Sequence, residues 1–199
     1  IILSVARFEP GGSKKQIEMA KAFMGLAANH YDIGRTWKLI LAGGNVPGNP
    51  YFEKVVKLVD RAKCNIELKA NLSYSEIKAL YKAASIFWHA CGLYETNPQL
   101  VEHFGMTTVE AMQNYCVPIV INGGGQVEIV QDGIDGFTFN TIAELQSHTL
   151  KIINDDILRR DIAEKAYQRS HEFNNELFKT RVTTLFSEIE NELVGIDVL

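Results

Sequence analysis

No Cys-x-x-Cys pair occurs in this chain, and its three cysteines, Cys64, Cys91 and Cys116, are odd in number and far apart. Neither a zinc knuckle nor a disulfide framework is suggested, and a reducing compartment is the better expectation. An excess of positive charge is also missing: 20 Lys and Arg stand against 24 Asp and Glu, for a net charge of −4. A broad nucleic-acid surface needs clustered cations, so no nucleic-acid partner is expected, although a nucleotide needs only one or two. No apolar run approaches the roughly 20 residues that span a bilayer, and no signal peptide is recognisable. The five histidines (His30, His89, His103, His148 and His171) show no H-E-x-x-H or similar spacing. No metal is assigned to them.

Two nucleotide fingerprints are missing as well. The chain holds no G-x-x-x-x-G-K-[ST] loop, and Gly43-Gly44-Asn45-Val46-Pro47-Gly48 has the wrong spacing for G-x-G-x-x-G. In Gly123-Gly124-Gly125-Gln126-Val127-Glu128 a glutamate stands where the third glycine belongs. Those failures lower the odds of an NAD or ATP enzyme of the familiar kinds.

What is present is an alternation of strand and helix. Ile1–Ala6, Lys38–Ala42, Ile66–Lys69, Ile86–Trp88, Val117–Ile121 and Phe137–Phe139 read as strands, most of them apolar on both faces. Helical patterns fall between them at about Ser13–Ala28, Tyr51–Ala62, Ser73–Ala83, Met106–Tyr115 and Thr141–Asn154, with Ser73-x-x-Glu76 as a capping box. In the first, Ile17, Ala20, Phe23, Met24 and Ala27 make one stripe. Strand then helix, repeated about six times, predicts an α/β fold: a Rossmann-like, doubly wound parallel sheet with helices on both faces. Two helices, about Ile157–Ser170 and Glu176–Glu192, close the chain, and the stripe Phe178, Val182, Leu185 and Ile189 is expected to pack into the core. The 199 residues fit one domain, or one lobe of a larger protein. A start without Met, inside the apolar Ile1-Ile2-Leu3-Ser4-Val5, suggests a piece of a longer chain. The expected location is cytoplasmic, with possible peripheral membrane association.

In such a fold the strand-to-helix loops share the carboxyl edge of the sheet, where ligands bind. The first loop, Arg7-Phe8-Glu9-Pro10-Gly11-Gly12-Ser13-Lys14-Lys15, offers a planar guanidinium and mobile ammonium groups suited to phosphate oxygens. A second candidate is Glu102-His103-Phe104-Gly105-Met106-Thr107-Thr108-Val109-Glu110. Gly105 would let a ligand approach bare backbone N–H groups, and Glu102 and Glu110 can accept hydrogen bonds from hydroxyls, an arrangement suited to a sugar joined to a phosphate. Taken alone, an E-x7-E spacing is common on helices. Gly124, in the triple glycine after the fifth strand, could present further N–H donors to a pyrophosphate. Gly43 fits either close backbone approach at a strand end or a plain turn. Cys116 reads as a small buried residue at a strand start.

The motifs in order resemble one family over nearly the whole chain. Ser4-Val5-Ala6-Arg7 with Lys14, Leu41-Ala42-Gly43-Gly44, Tyr81 to Phe87, the E-x7-E motif, Val117-Pro118-Ile119-Val120 and Gly124 to Gly133 resemble the carboxyl-terminal lobe of retaining family-4 glycosyltransferases of the two-lobed GT-B fold. The resemblance implies a nucleotide-sugar donor, UDP- or GDP-linked, no cofactor or metal, and an N-terminal lobe that brings the acceptor. It implies catalytic positions at Glu102, Arg7 and Lys14. Donor contacts are implied at Glu110 (ribose), at Phe104, Gly105, Met106 and Thr107 (sugar and distal phosphate), at Asn71 and Leu72 (base), and at Gly43 and Gly124. Alternatives of another class are a non-catalytic nucleotide-binding module and a sugar-nucleotide epimerase.

Three features depart from the family pattern. Gly11-Gly12-Ser13 lengthens the first loop and leaves Lys14 and Lys15 competing for the phosphate role, with Lys14 the better fit. The segment Gly92–Val101 lengthens the approach to Glu102, and Asn114-Tyr115-Cys116 replaces a small Ala-Gly pair.

Overall fold

The computed structural model describes residues 1–196, with side-chain surroundings as far as Asn191. Six parallel strands, β1 (Ile2–Val5), β2 (Leu39–Gly43), β3 (Ile66–Ala70), β4 (Ile86–His89), β5 (Val117–Ile121) and β6 (Phe137–Phe139), lie in the order β3-β2-β1-β4-β5-β6. The helices are α1 (Gln16–Asn29), α2 (Tyr31–Thr36), α3 (Pro50–Val59), α4 (Tyr74–Ala83), α5 (Met106–Met112), α6 (Gln126–Ile129), α7 (Ile142–Asn154), α8 (Asp156–Ser170) and α9 (Asn175–Ile196). The Rossmann-like α/β architecture expected from the alternation is the one observed.

Burial on both faces explains why most of the strands, β4 and β5 above all, read as continuous apolar runs. Ile2, Leu39, Leu41, Ile86, Trp88, Ile119 and Phe139 join one cluster with Phe23 of α1, Val55 of α3 and Leu145 of α7. Their neighbours Leu3, Ile40, Ala42 and Phe87 face the opposite side, against Tyr81 of α4 and Ala111 of α5. Each large side chain taken wholly from water stabilises the fold by about 1.5–3 kcal/mol. The one polar atom of Trp88 is matched, since its Nε1–H donates to Thr149 Oγ1 at 3.1 Å. Cys116 is fully buried at the start of β5.

The strand order reverses at β1, which pairs with β2 on one side and β4 on the other. The loops leaving β1 and β4 therefore diverge and open a crevice between them, the usual ligand position in such sheets.

Several local expectations change. The first helix starts at Gln16, not Ser13, because Gly12 and Lys15 take positive φ of 71° and 60°. Its buried face is Met19, Ala20, Ala22, Phe23 and Leu26, rotated from the predicted stripe. Helix α5 stops at Met112, where Tyr115 turns left-handed at φ 60° and the Cys116 N–H returns to the Ala111 carbonyl. The Ser73–Glu76 capping box forms as expected at α4. The stripe on α9 is not core: Phe178, Leu185 and Ile189 are exposed. Among the described residues no helix is long and apolar enough to cross a membrane.

Candidate active site

Past Val5 the chain keeps alongside β2, with the Ala6 N–H donating to the Ala42 carbonyl and the Phe8 N–H to the Gly44 carbonyl. Only glycine fits at Gly43, where an added Cβ would lie 2.0 Å from the Ala6 oxygen. Close backbone approach is thus the reason for that glycine. Phe8 is buried and fastens the loop, its carbonyl accepting from Asn49 Nδ2, while Gln16 Nε2 donates to the Arg7 carbonyl at 3.0 Å. Tyr51 Oη accepts from the Ile17 N–H at 3.2 Å, satisfying a donor at the start of α1.

These contacts separate the two lysines. Lys14 turns into the crevice, and its Nζ donates to Glu102 Oε2 at 2.9 Å. Lys15, left-handed at the start of α1, forms an ion pair with Glu95 instead. Glu95 belongs to the extra segment Gly92–Val101, so Lys15 anchors that segment. Cys91 Sγ donates to the Leu100 carbonyl at 3.4 Å and closes the same loop.

Glu102 reaches the crevice because its backbone is clamped. The Gly125 N–H donates to the Glu102 carbonyl at 2.8 Å, and an added Cβ on Gly124 would come within 2.2 Å of that oxygen. The triple glycine therefore shapes the Glu102 loop from behind. Next to it Gly105 sits at φ 114°, where a Cβ would strike Gln126 Nε2 at 2.6 Å.

Arg7, Lys14, Glu102, Met106 and Thr107 line one cavity of about 350 Å³, together with Val5, Ala6 and His89. Arg7 is largely exposed and pairs with Glu9 at 2.9 Å. His89, the last residue of β4, is buried, and its Nε2 lies 3.3 Å from Glu102 Oε2. The His89 contact and, after it, Lys14 outweigh burial and push the Glu102 carboxyl down to about 2. Burial works against the Lys14 ammonium, but the Glu102 hydrogen bond prevails and raises its pKa. Burial pushes the Cys91 thiol up, so this neighbour of Lys14 keeps its proton.

The other expected residues lie outside this cavity. Glu110, on α5, accepts from the Tyr81 hydroxyl at 2.9 Å. Burial, then the Glu110 charge, push the Tyr81 phenol far up, and it remains a donor. Asn71, left-handed at φ 56°, spends its side chain on Asn45, accepting from its N–H at 2.7 Å and donating to its carbonyl at 3.0 Å. Leu72 beside it is half-buried. Phe104 meets Phe173 edge-on at 6.1 Å. His89 and Tyr81 receive no site role from the sequence, although Tyr81 stands in a quoted motif: a strand-end histidine and a buried tyrosine look like core composition, and the place of His89 at a carboxyl strand end is the available signal. Among the described residues no cluster of three His, Cys, Asp or Glu could hold a metal.

A doubly wound sheet carrying cations on one switch-point loop and a carboxylate on the other has the layout of an α/β domain with a ligand crevice at the carboxyl edge of its sheet. The chain belongs to the family "Glycosyl transferases group 1", whose model matches residues 1–169. This corrects the family expected from the sequence: the matched model is group 1, not family 4. The motifs behind that expectation are strand ends and crevice loops, which mark the fold of the lobe and do not fix its family number.

Two curated relatives align. The "Uncharacterized glycosyltransferase MJ1178" of Methanocaldococcus jannaschii is 31% identical over 132 residues, 64% of this chain and 37% of that protein. "Alpha-1,3/1,6-mannosyltransferase ALG2" of Dictyostelium discoideum is 27% identical over 197 residues, 94% of this chain and 45% of that protein. The chain thus spans less than half the length of these relatives. Among solved structures, Anabaena Alr3699/HepE in complex with UDP-glucose superposes with a TM-score of 0.73 at 20% identity, covering 94% of this chain and 48% of that one. The C-terminal domain of a glycosyl transferase group 1 family protein, LpcC from Francisella tularensis, gives 0.67 at 22% identity, covering 84% of this chain and 83% of that domain. At these identities the structural likeness establishes the fold.

Proposed function

We propose that this chain is the donor-binding lobe of a two-lobed GT-B glycosyltransferase. In this reading the whole protein transfers a sugar from a nucleoside-diphosphate sugar to an acceptor held by an N-terminal lobe, and the isolated lobe does not turn over. The observation that carries it is the meeting of Arg7 and Lys14 from the β1 loop with Glu102 from the β4 loop in one switch-point cavity. UDP-glucose in the HepE complex and the group 1 C-terminal domain from LpcC support the donor class and the lobe assignment.

The roles follow from the chemistry. Arg7 and Lys14 take the pyrophosphate and neutralise the charge that grows as the nucleoside diphosphate departs. Each such charge-assisted contact contributes about 1.5–3 kcal/mol. Glu102, kept ionised, accepts from donor-sugar hydroxyls. Glu110, held by Tyr81, takes the ribose hydroxyls with its two oxygens. The backbone of Phe104, Gly105, Met106 and Thr107 serves the sugar and distal phosphate, and Asn71 and Leu72 grip the base through their backbone. Gly43 and Gly124 hold the two loops in the shapes that make the pocket. The bond from the anomeric carbon to phosphate oxygen breaks as the acceptor oxygen bonds to the same face, giving retention. The acceptor proton passes to the departing phosphate, so positioning and leaving-group stabilisation supply the catalysis. Closure by the second lobe excludes water.

Transfer by the full-length protein tests this. Glu102→Gln and Arg7→Ala are each expected to remove it, with Arg7→Lys impaired because an ammonium lacks the planar fork. Full activity in both Glu102→Gln and Arg7→Ala would overturn the reading.

A further inference from the structure

We propose that His89 is a positioning residue that dedicates Glu102 to the donor sugar: its Nε2 shares Glu102 Oε2 with Lys14 and leaves Oε1 to accept from a sugar hydroxyl. The inference rests on the donor-lobe reading and assigns the division of labour within that carboxylate.

Three observations carry it. His89 is only 3% exposed and lines the cavity, so its ring is held in place where a ligand would sit. Its backbone lies in register with Val120 of β5, which puts the ring on a rigid element, whereas Glu102 comes from a long loop. Nε2 stands 3.3 Å from Glu102 Oε2, while Nδ1 is buried and has no partner among the described residues. Nε2 is therefore the ring nitrogen with a use, and the tautomer carrying its hydrogen there suits the carboxylate.

Lys14 approaches the same oxygen at 2.9 Å. Lys14 donates to Oε2 and His89 Nε2 stands 3.3 Å from the same oxygen, whereas among the described residues Oε1 has no hydrogen-bond donor. A carboxylate with one oxygen fixed from two directions cannot rotate freely, so the second oxygen keeps one aim. That is what discrimination between sugar hydroxyls requires. With its backbone clamped but its side chain paired with lysine alone, the carboxylate would turn with the lysine.

The charged and titratable groups around Glu102 are Lys14 and Arg7 from the β1 loop, Glu9 paired with Arg7, the Cys91 thiol beside Lys14, and His89 itself. Removing the His89 N–H removes the largest single influence holding the Glu102 carboxyl low. An amide can replace it: the Gln Nε2 reaches about as far along the side chain as the His Nε2, and leucine fills the space with no donor.

Two measurements on the 199-residue chain test the proposal, with wild type, His89→Gln and His89→Leu compared. The first is the carbon-13 titration of the Glu102 carboxyl. It should move to higher pH in His89→Leu and return toward wild type in His89→Gln. The second is calorimetric affinity for UDP against UDP-glucose and for GDP against GDP-mannose. Loss of positioning should weaken the sugar-bearing ligand by about tenfold or more in His89→Leu, leave the bare nucleoside diphosphate within about twofold, and recover in His89→Gln.

An unmoved Glu102 titration, or equal weakening of nucleotide and nucleotide sugar, would overturn the proposal. So would His89→Gln behaving like His89→Leu in both measurements while remaining folded by circular dichroism. If wild type bound none of the four ligands, the donor-lobe reading would fail and the sugar role with it. The titration alone would then report whether His89 holds Glu102.

Discussion

Lys14 and Glu102 lie 88 positions apart in the chain and meet at 2.9 Å, Nζ to Oε2, in the crevice between the β1 and β4 loops. Neither lysine spacing nor E-x7-E spacing requires this contact. The strand order does, because it sets the two loops on either side of the point where the sheet reverses direction.

The two adjacent lysines should therefore behave differently. Lys14→Met is expected to weaken nucleoside-diphosphate binding by about ten- to a hundredfold, the value of one charge-assisted contact. Lys15→Met frees Glu95 and should loosen the Gly92–Val101 segment, leaving nucleotide affinity within a fewfold of wild type. Titration calorimetry of both variants checks the contrast.

Acid stability carries the signature of Glu102. Its folded pKa of about 2 lies below the ordinary value of 4.5. The stabilisation is thus fully present above about pH 4.5 and disappears as pH falls toward 2. Its full electrostatic value is about 3 kcal/mol, which solvent screening in an open crevice cuts to roughly 1–2 kcal/mol. Urea unfolding of wild type and Glu102→Gln across this window should show a gap at neutral pH that closes on acidification.

Tyr81→Phe removes the hydroxyl that holds Glu110 at 2.9 Å. A loss of about 1–2 kcal/mol in stability is expected, since a half-buried carboxylate loses its donor. If Glu110 anchors the ribose, UDP and UDP-glucose should weaken by the same factor, unlike the sugar-selective effect of His89→Leu.

The triple glycine offers an internal control. Gly124→Ala places a methyl group 2.2 Å from the Glu102 carbonyl at φ 59°, whereas Gly123→Ala meets nothing within 4 Å. The first should cost about 2–4 kcal/mol through overpacking and left-handed strain, the second under about 1 kcal/mol. Chemical denaturation measures both.

Most of the strands could be read from the sequence because doubly buried strands leave apolar runs, whereas β3, with Glu67 and Lys69 half-buried, is legible from its alternation of apolar and charged residues. The six-residue helix Tyr31–Thr36 leaves no periodic pattern long enough to recognise. The α9 stripe was visible as a pattern, but Phe178 and Leu185 are exposed, since periodicity reports an apolar face and not what covers it. Within the site, Arg7, Lys14 and Glu102 were legible because loop cations and motif carboxylates stand out in composition. The sequence favours Lys14 over Lys15 by its distance from the helical stripe, but the reason the two diverge, a left-handed Lys15, is announced by no residue type. His89 and Tyr81 were hidden for the opposite reason: buried side chains at a strand end and on a helix resemble core until their partners are known.

The most direct test is the thermal unfolding of this chain with a panel of UDP-, GDP- and ADP-sugars, repeated with Arg7→Ala and Lys14→Met. A cognate donor at about 100 times its dissociation constant should stabilise wild type by about 2.7 kcal/mol and each variant by distinctly less. No shift with any member of the panel, or an equal shift in both variants, would contradict a donor site in this crevice.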